Sequence, residues 1–158
     1  MKLSLKKGLS FGLTSAVITT LGLITGLGAS TGSSLVIISG ILVIAIADSF
    51  SDALGMHVST EAEGGHTTRE IWEATISTFL AKFIFALTFV IPFLFLSINL
   101  AFWLDIIWGV LILIMVSYRL AREQKLKPKN VIIEHLFITT IVLFLGHYLG
   151  QLISNYIK

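Results

Sequence analysis

Long apolar stretches separated by short polar breaks run the length of this chain. They cover residues 8–28, 34–56, 74–96, 100–118 and 131–156. About 20 apolar residues in a helix cross the roughly 30 Å of hydrocarbon in a bilayer. The pattern therefore predicts five transmembrane helices. Two of the breaks, 29–33 and 97–99, are brief and uncharged, whereas 57–73 and 119–130 are polar. The expected fold is all-α and polytopic, a single transmembrane domain over 1–158 with a short acidic cytosolic hairpin at 57–73. Pro92 falls inside the third span and is expected to kink it.

Charge orients the spans. Lys2, Lys6, Lys7, Arg69, Arg119, Arg122, Lys125, Lys127 and Lys129 fall on one side, and only Lys158 on the other. Basic loops stay in the cytosol, so the N-terminus is expected inside and the C-terminus outside. The basic start resembles a signal peptide, but the apolar run after it has no clear small-residue cleavage site, so a retained first span is expected.

Composition agrees with a membrane chain. Of 158 residues, 55% are hydrophobic and 13% charged, about half the charge of a soluble domain. The net charge of +2 sits in the loops and reports topology, not nucleic-acid binding. Without cysteine there is neither a disulfide nor a thiolate metal site. The expected location is the cell (plasma) membrane, with the lipid bilayer as partner.

The chemistry concentrates in the second span. Asp48, Ser51, Asp52, Gly55 and Ser59 share one sector of a helix at about 100° per residue. An ionisable group near the bilayer centre costs from a few to over ten kcal/mol, so two acids there call for a cation or a watery site. Lys82, about 12 Å into the third span, reaches a similar depth. It offers an ion pair to one acid, which leaves the second to be protonated or to hold a cation. Met56 adds a thioether that suits softer ions, or simply packs. In the hairpin, Glu63, His66 and Glu70 are candidate ligands at the cytosolic mouth, near Glu61, Glu73 and His57; carboxylates with imidazole suit divalent transition metals, although such acids are often only solvated.

Other features read as packing or interface. Small residues recur along the first span, including Gly12, Ser15, Thr19 and Gly22, and let helix backbones approach closely. They are expected to serve tight helix packing alone or also to wall a pathway, and a homodimer through this helix is expected as well. Asp105 lies between Trp103 and Trp108, where an outer aromatic belt is expected. Glu134, His135 and His147 read as local interface residues.

Two segments resemble a known family. Residues 12–27, GLTSAVITTLGLITGL, and 47–59, ADSFSDALGMHVS, look like the first two helices of the vacuolar iron transporter family, which includes the yeast calcium-cross-complementing transporters. The resemblance implies a homodimer of five-helix subunits with a pathway between them, lined by the first two helices. It also implies movement of iron(II) or manganese(II) out of the cytosol in exchange for protons. The chain departs from the pattern by carrying Ser15 in place of an aspartate, Asp52 in place of a methionine and Ile44 in place of a glutamate.

The expected function is therefore divalent transition-metal transport by proton antiport. Asp48, Asp52, Ser51 and Met56 would be the metal site, and Ser15, Thr19, Gly12, Gly22 and Lys82 the pathway and packing residues. No cofactor is expected, since the metal is the substrate. One rival is a non-transporting membrane protein in which Asp48, Asp52 and Lys82 form a structural ion-pair network. Another is an intramembrane aspartyl enzyme, disfavoured because both acids share one helix and no H-E-x-x-H motif is present.

Overall fold

A computed structural model describes residues 2–157; Met1, and Lys158 with its expected place on the far side, lie outside the described residues. The described residues form helices and no strands: α1 (Leu3–Thr31), α2 (Ser34–Glu63), α3 (Thr68–Thr88), α4 (Val90–Phe95), α5 (Ile98–Glu123) and α6 (Pro128–Tyr156). With α3 and α4 taken as one span, five segments are long and apolar enough to cross a membrane. The third span breaks at Phe89, three residues before Pro92. Pro92 has no N–H for the Thr88 carbonyl, and its ring crowds that carbonyl.

Helices extend past the apolar stretches into the polar breaks. Most of the 57–73 hairpin is helix, with only residues 64–67 between α2 and α3. Gly64 and Gly65 turn the chain at φ 70° and 73°, conformations that only glycine adopts without strain. Thr67 and Glu70 then form a capping box that starts α3, each satisfying the other's backbone N–H.

Ion pairs gather the polar ends on one face. Lys2 meets Glu73 at 2.5 Å, Lys6 meets Glu123 at 3.0 Å and Lys7 meets Glu63 at 2.5 Å. The N-terminus, the 64–67 turn and the end of α5 therefore share a side, called here the N-terminal face.

α1 is the central helix, and glycines make that possible. A Cβ on Gly12 would lie 2.6 Å from the Thr78 carbonyl oxygen of α3, and one on Gly22 would lie 2.8 Å from Val142 of α6. Gly146 of α6 approaches the Gly22 carbonyl closely enough that its Cβ would sit 2.9 Å away. Gly22/Gly26 thus crosses Gly146/Gly150, two small-xxx-small pairs face to face. The stripe expected to receive a second subunit is used within the chain. Sequence periodicity identifies a face for close packing but not which helix fills it.

The two halves of the bundle differ. Toward the N-terminal face, α1 meets α3 through Gly8 and Gly12. Toward the opposite face lies an apolar core of Val17, Leu21, Ile24, Ile37, Phe89 and Leu113. α2 covers one flank and leaves Leu42, Val43, Ile46, Phe50 and Leu54 exposed on its outer side.

Candidate functional site

Three helices bring four side chains together where the two halves meet. Lys82 of α3 is 1% exposed, and its Nζ lies 2.5 Å from Asp48 Oδ2 and 2.5 Å from Asp52 Oδ2, both on α2. It also donates to Ser15 Oγ of α1 at 2.9 Å. Ser15 in turn donates to Asp52 Oδ2 at 2.5 Å. The ammonium has three protons and three oxygens around it.

Helix spacing explains the arrangement. Asp48 and Asp52 are one turn apart, so their side chains reach the same point on a neighbouring helix. Gly12 lets α3 approach α1 so closely that its Cβ would be 3.2 Å from the Lys82 backbone nitrogen, which sets Lys82 beside Ser15. The expected pairing of Lys82 with one acid is thus extended to both. Two carboxylates against one ammonium leave a formal charge of minus one.

The cluster is sealed on the lysine side and open on the other. The Asp48 and Asp52 side chains are 32% and 19% exposed. Ser51, Gly55 and Ser59, the rest of the predicted stripe, lie on the exposed outer face of α2. Met56 points the other way, buried, with its sulfur 3.7 Å from the Thr60 hydroxyl that donates to it. Thr19 donates to the Ser15 carbonyl at 2.9 Å. Of the predicted residues, the structure joins Asp48, Asp52, Lys82 and Ser15, and leaves Ser51, Met56 and Thr19 outside their hydrogen bonds.

At the N-terminal face a cavity of about 630 Å³ is lined by Lys6, Lys7, Glu63, His66, Glu70 and Glu123. It reaches Ser10, which is five residues, or about 7.5 Å of helical rise, from Ser15. Glu63 meets Lys7 and, at 3.3 Å, His66. Glu70 is committed to the Thr67 cap. Among the described residues no three acidic, histidine or cysteine side chains converge as a metal-binding group. Glu73, at the polar start of α3, is held down to about 2 by hydrogen bonds from Lys2 and Ser4 and by Arg69.

Two other histidines bridge helices. His57 Nδ1 lies 3.0 Å from Thr75 Oγ1, edge-on to Trp72, and His135 Nδ1 lies 2.7 Å from Ser117 Oγ. Both join neighbouring helices within the bundle.

The flanking tryptophans are exposed, but the Asp105 side chain is 0% exposed on the buried face of α5, in line with Ala101, Gly109 and Ile112. Neither carboxyl oxygen has a hydrogen-bond partner. Spacing holds the signal that was missed: 101, 105, 109 and 112 follow the helical repeat of a buried face, and Trp103 and Trp108 lie off it.

A comparison of the sequence with protein-family models and with curated proteins finds no match to either. The chain is an integral membrane protein on the strength of its five apolar spans.

Proposed function

We propose that this protein is a proton-coupled cation transporter that moves iron(II) or manganese(II) out of the cytosol, with Asp48, Asp52 and Lys82 as its exchange centre. The supporting observation is the Lys82 ammonium held like a tethered cation between two carboxylates inside the bundle. A divalent ion seated between Asp48 and Asp52 takes the ammonium's position. If Lys82 gives up a proton as it leaves, the cluster becomes neutral and one proton departs for each ion bound. Reprotonation of Lys82 then competes for the same oxygens and expels the ion. The ion and the ammonium use the same two carboxylates, so the coupling is built into the contact.

The cavity at the N-terminal face supplies an approach. With that basic face in the cytosol, Glu63, His66 and Glu70 stand at the mouth and Ser10 one step from Ser15. The outer face of α2 favours a second copy. A carboxylate one-third exposed costs several kcal/mol against lipid, whereas a partner's α2 would cover Asp48 together with Ser51, Gly55 and Ser59. The dimer seam is accordingly assigned to α2, since Gly12 and Gly22 are occupied.

One observation favours a structural network instead: the ammonium already has three oxygens within 2.9 Å, as in a finished ion-pair network. Proteoliposomes loaded with a pH dye separate the two. Transport requires that manganese(II) or iron(II) drive protons across the membrane, and that Asp48→Asn and Asp52→Asn abolish this. Lys82→Met should bind metal more tightly yet move no protons. Absence of any metal-driven proton movement in the wild-type protein would sink the transport reading.

A further inference from the structure

Asp105 is a carboxyl group the exchange centre does not use. It is wholly buried, and neither Oδ1 nor Oδ2 accepts or donates a hydrogen bond among the described residues. Its face of α5 turns to α1, since Gly109, one turn away, would bring a Cβ to 2.7 Å from Leu21 and 3.0 Å from Val17. No charge faces it from these elements. Residues 8–31 of α1 and 90–97 across α4 contain no titratable side chain. On α3 the nearest is Lys82, six residues or about 9 Å of rise before Thr88 and already surrounded by its own oxygens. On α6 it is His147, which is exposed. A carboxylate here would be an unpaired buried charge; the neutral acid is not.

A second observation points to access. Asp105 borders a cleft of about 370 Å³ between the broken third span and α5, lined also by Thr88, Pro92, Leu104 and Trp108. Within it Trp108 Nε1 donates to Thr88 Oγ1 at 3.0 Å. Pro92, which has no N–H to donate to the Thr88 carbonyl, lines the same cleft.

We infer that Asp105 is a proton-binding site in the apolar half of the bundle, opening sideways to the membrane through the cleft between α4 and α5 and separate from the Lys82 cluster. It carries its proton as a carboxylic acid and exchanges it through the cleft, past Thr88 and Trp108. The inference stands whether or not the Lys82 cluster moves a metal.

Infrared spectroscopy of the full chain in lipid reads the proton directly. At neutral pH a carboxylic C=O band should be present, should bleach in alkaline buffer, and should shift when the protein is grown with carboxyl-¹³C aspartate. That isotope shift assigns the band to an aspartic acid, and the Asp105 variant separates Asp105 from Asp48 and Asp52. Asp105→Asn should lose the band and retain the helical signal. A second arm tests the sideways opening with dicyclohexylcarbodiimide, an apolar reagent in which a carboxylic acid adds across one C=N bond, its proton passing to nitrogen. Mass spectrometry should find one adduct, on Asp105, with labelling lost in alkaline buffer and in Asp105→Asn. A wild-type protein with no aspartic C=O band, or one whose band persists at every pH, overturns the proton site. A titrating band without an adduct on Asp105 overturns the lateral opening.

Discussion

Lys82 and Asp105 are both ionisable side chains sealed inside the bundle, at 1% and 0% exposure. Their surroundings are opposite. Lys82 is met by Asp48, Asp52 and Ser15, so its charge is compensated. Asp105 has no hydrogen-bond partner among the described residues. Burial alone therefore says little about protonation in a membrane bundle; the partners do. A paired charge depends on each partner's staying in place, whereas an unpaired acid is stable only while it stays neutral. The first kind of site responds to a competing cation and the second only to protons.

The strongest attempt to break this contrast replaces each group with a neutral one of similar size. Lys82→Met strands two carboxylates, and in metal-free detergent it should cost about 3–5 kcal/mol of unfolding free energy. Asp105→Asn should change stability by no more than about 1 kcal/mol, because a neutral acid becomes a neutral amide. Equal losses in the two unfolding curves would remove the distinction. Added manganese(II) should restore stability to Lys82→Met if a cation can take the ammonium's place.

Helix approach gives the next largest effect. Gly12→Ala would push a methyl group into the Thr78 carbonyl and the Ala81 side chain, costing about 1–3 kcal/mol and drawing Lys82 away from Ser15. Gly55 has nothing within 4 Å of its Cβ position, so Gly55→Ala should leave the monomer as stable or slightly more so. A cysteine at the same position should crosslink two copies if α2 forms the seam. Thermal unfolding and crosslinking in lipid check both; a destabilised Gly55→Ala monomer would mean that α2 packs otherwise.

Ser15→Ala tests the cluster more gently. Removing one acceptor of three from the ammonium should cost about 1–2 kcal/mol, and the loss should largely vanish in a Lys82→Met background. Additive losses would show that Ser15 acts through something other than Lys82.

The smallest effect concerns the N-terminal face. Glu73 is held to about 2 from an ordinary value of 4.5, mainly by Lys2 and then by Ser4 and Arg69. A lowered carboxyl contributes stability that is present above the ordinary value and lost as pH falls through the folded one. Protection of amides at the start of α1, relative to their intrinsic exchange rates, should thus fall between about pH 4.5 and about pH 2. Protection there that stays constant across that window would mean that the Lys2–Glu73 pair does not hold the segment.

Much of the fold was legible because lipid makes its demands locally. Every backbone group in the hydrocarbon must be satisfied within its own helix, so five apolar runs predict five spans without knowledge of their neighbours. Helix ends were less legible: α2 continues to Glu63 and α3 begins at Thr68, because caps and ion pairs carry the helices past the apolar stretches. The site was legible in part. Asp48, Asp52 and Lys82 announced themselves as charges where charge is costly, and Ser15 joined them. Ser51 and Met56 shared the motif with the aspartates but turn to the outer surface and to Thr60.

What the sequence by itself determined is the set of helices, the shared depth of Lys82 and the two acids, and the presence of a closely packing face on α1. Only the tertiary structure decided which helix fills that face, that one ammonium serves both carboxylates, and that Asp105 is enclosed. The reason is the range of the physics. Hydropathy and helical period act along a single helix, so they can be read one helix at a time. A partner for a buried polar atom comes from another helix, and its presence at Lys82 and absence at Asp105 depend on how the helices meet, at contacts where Gly12 and Gly109 allow close approach.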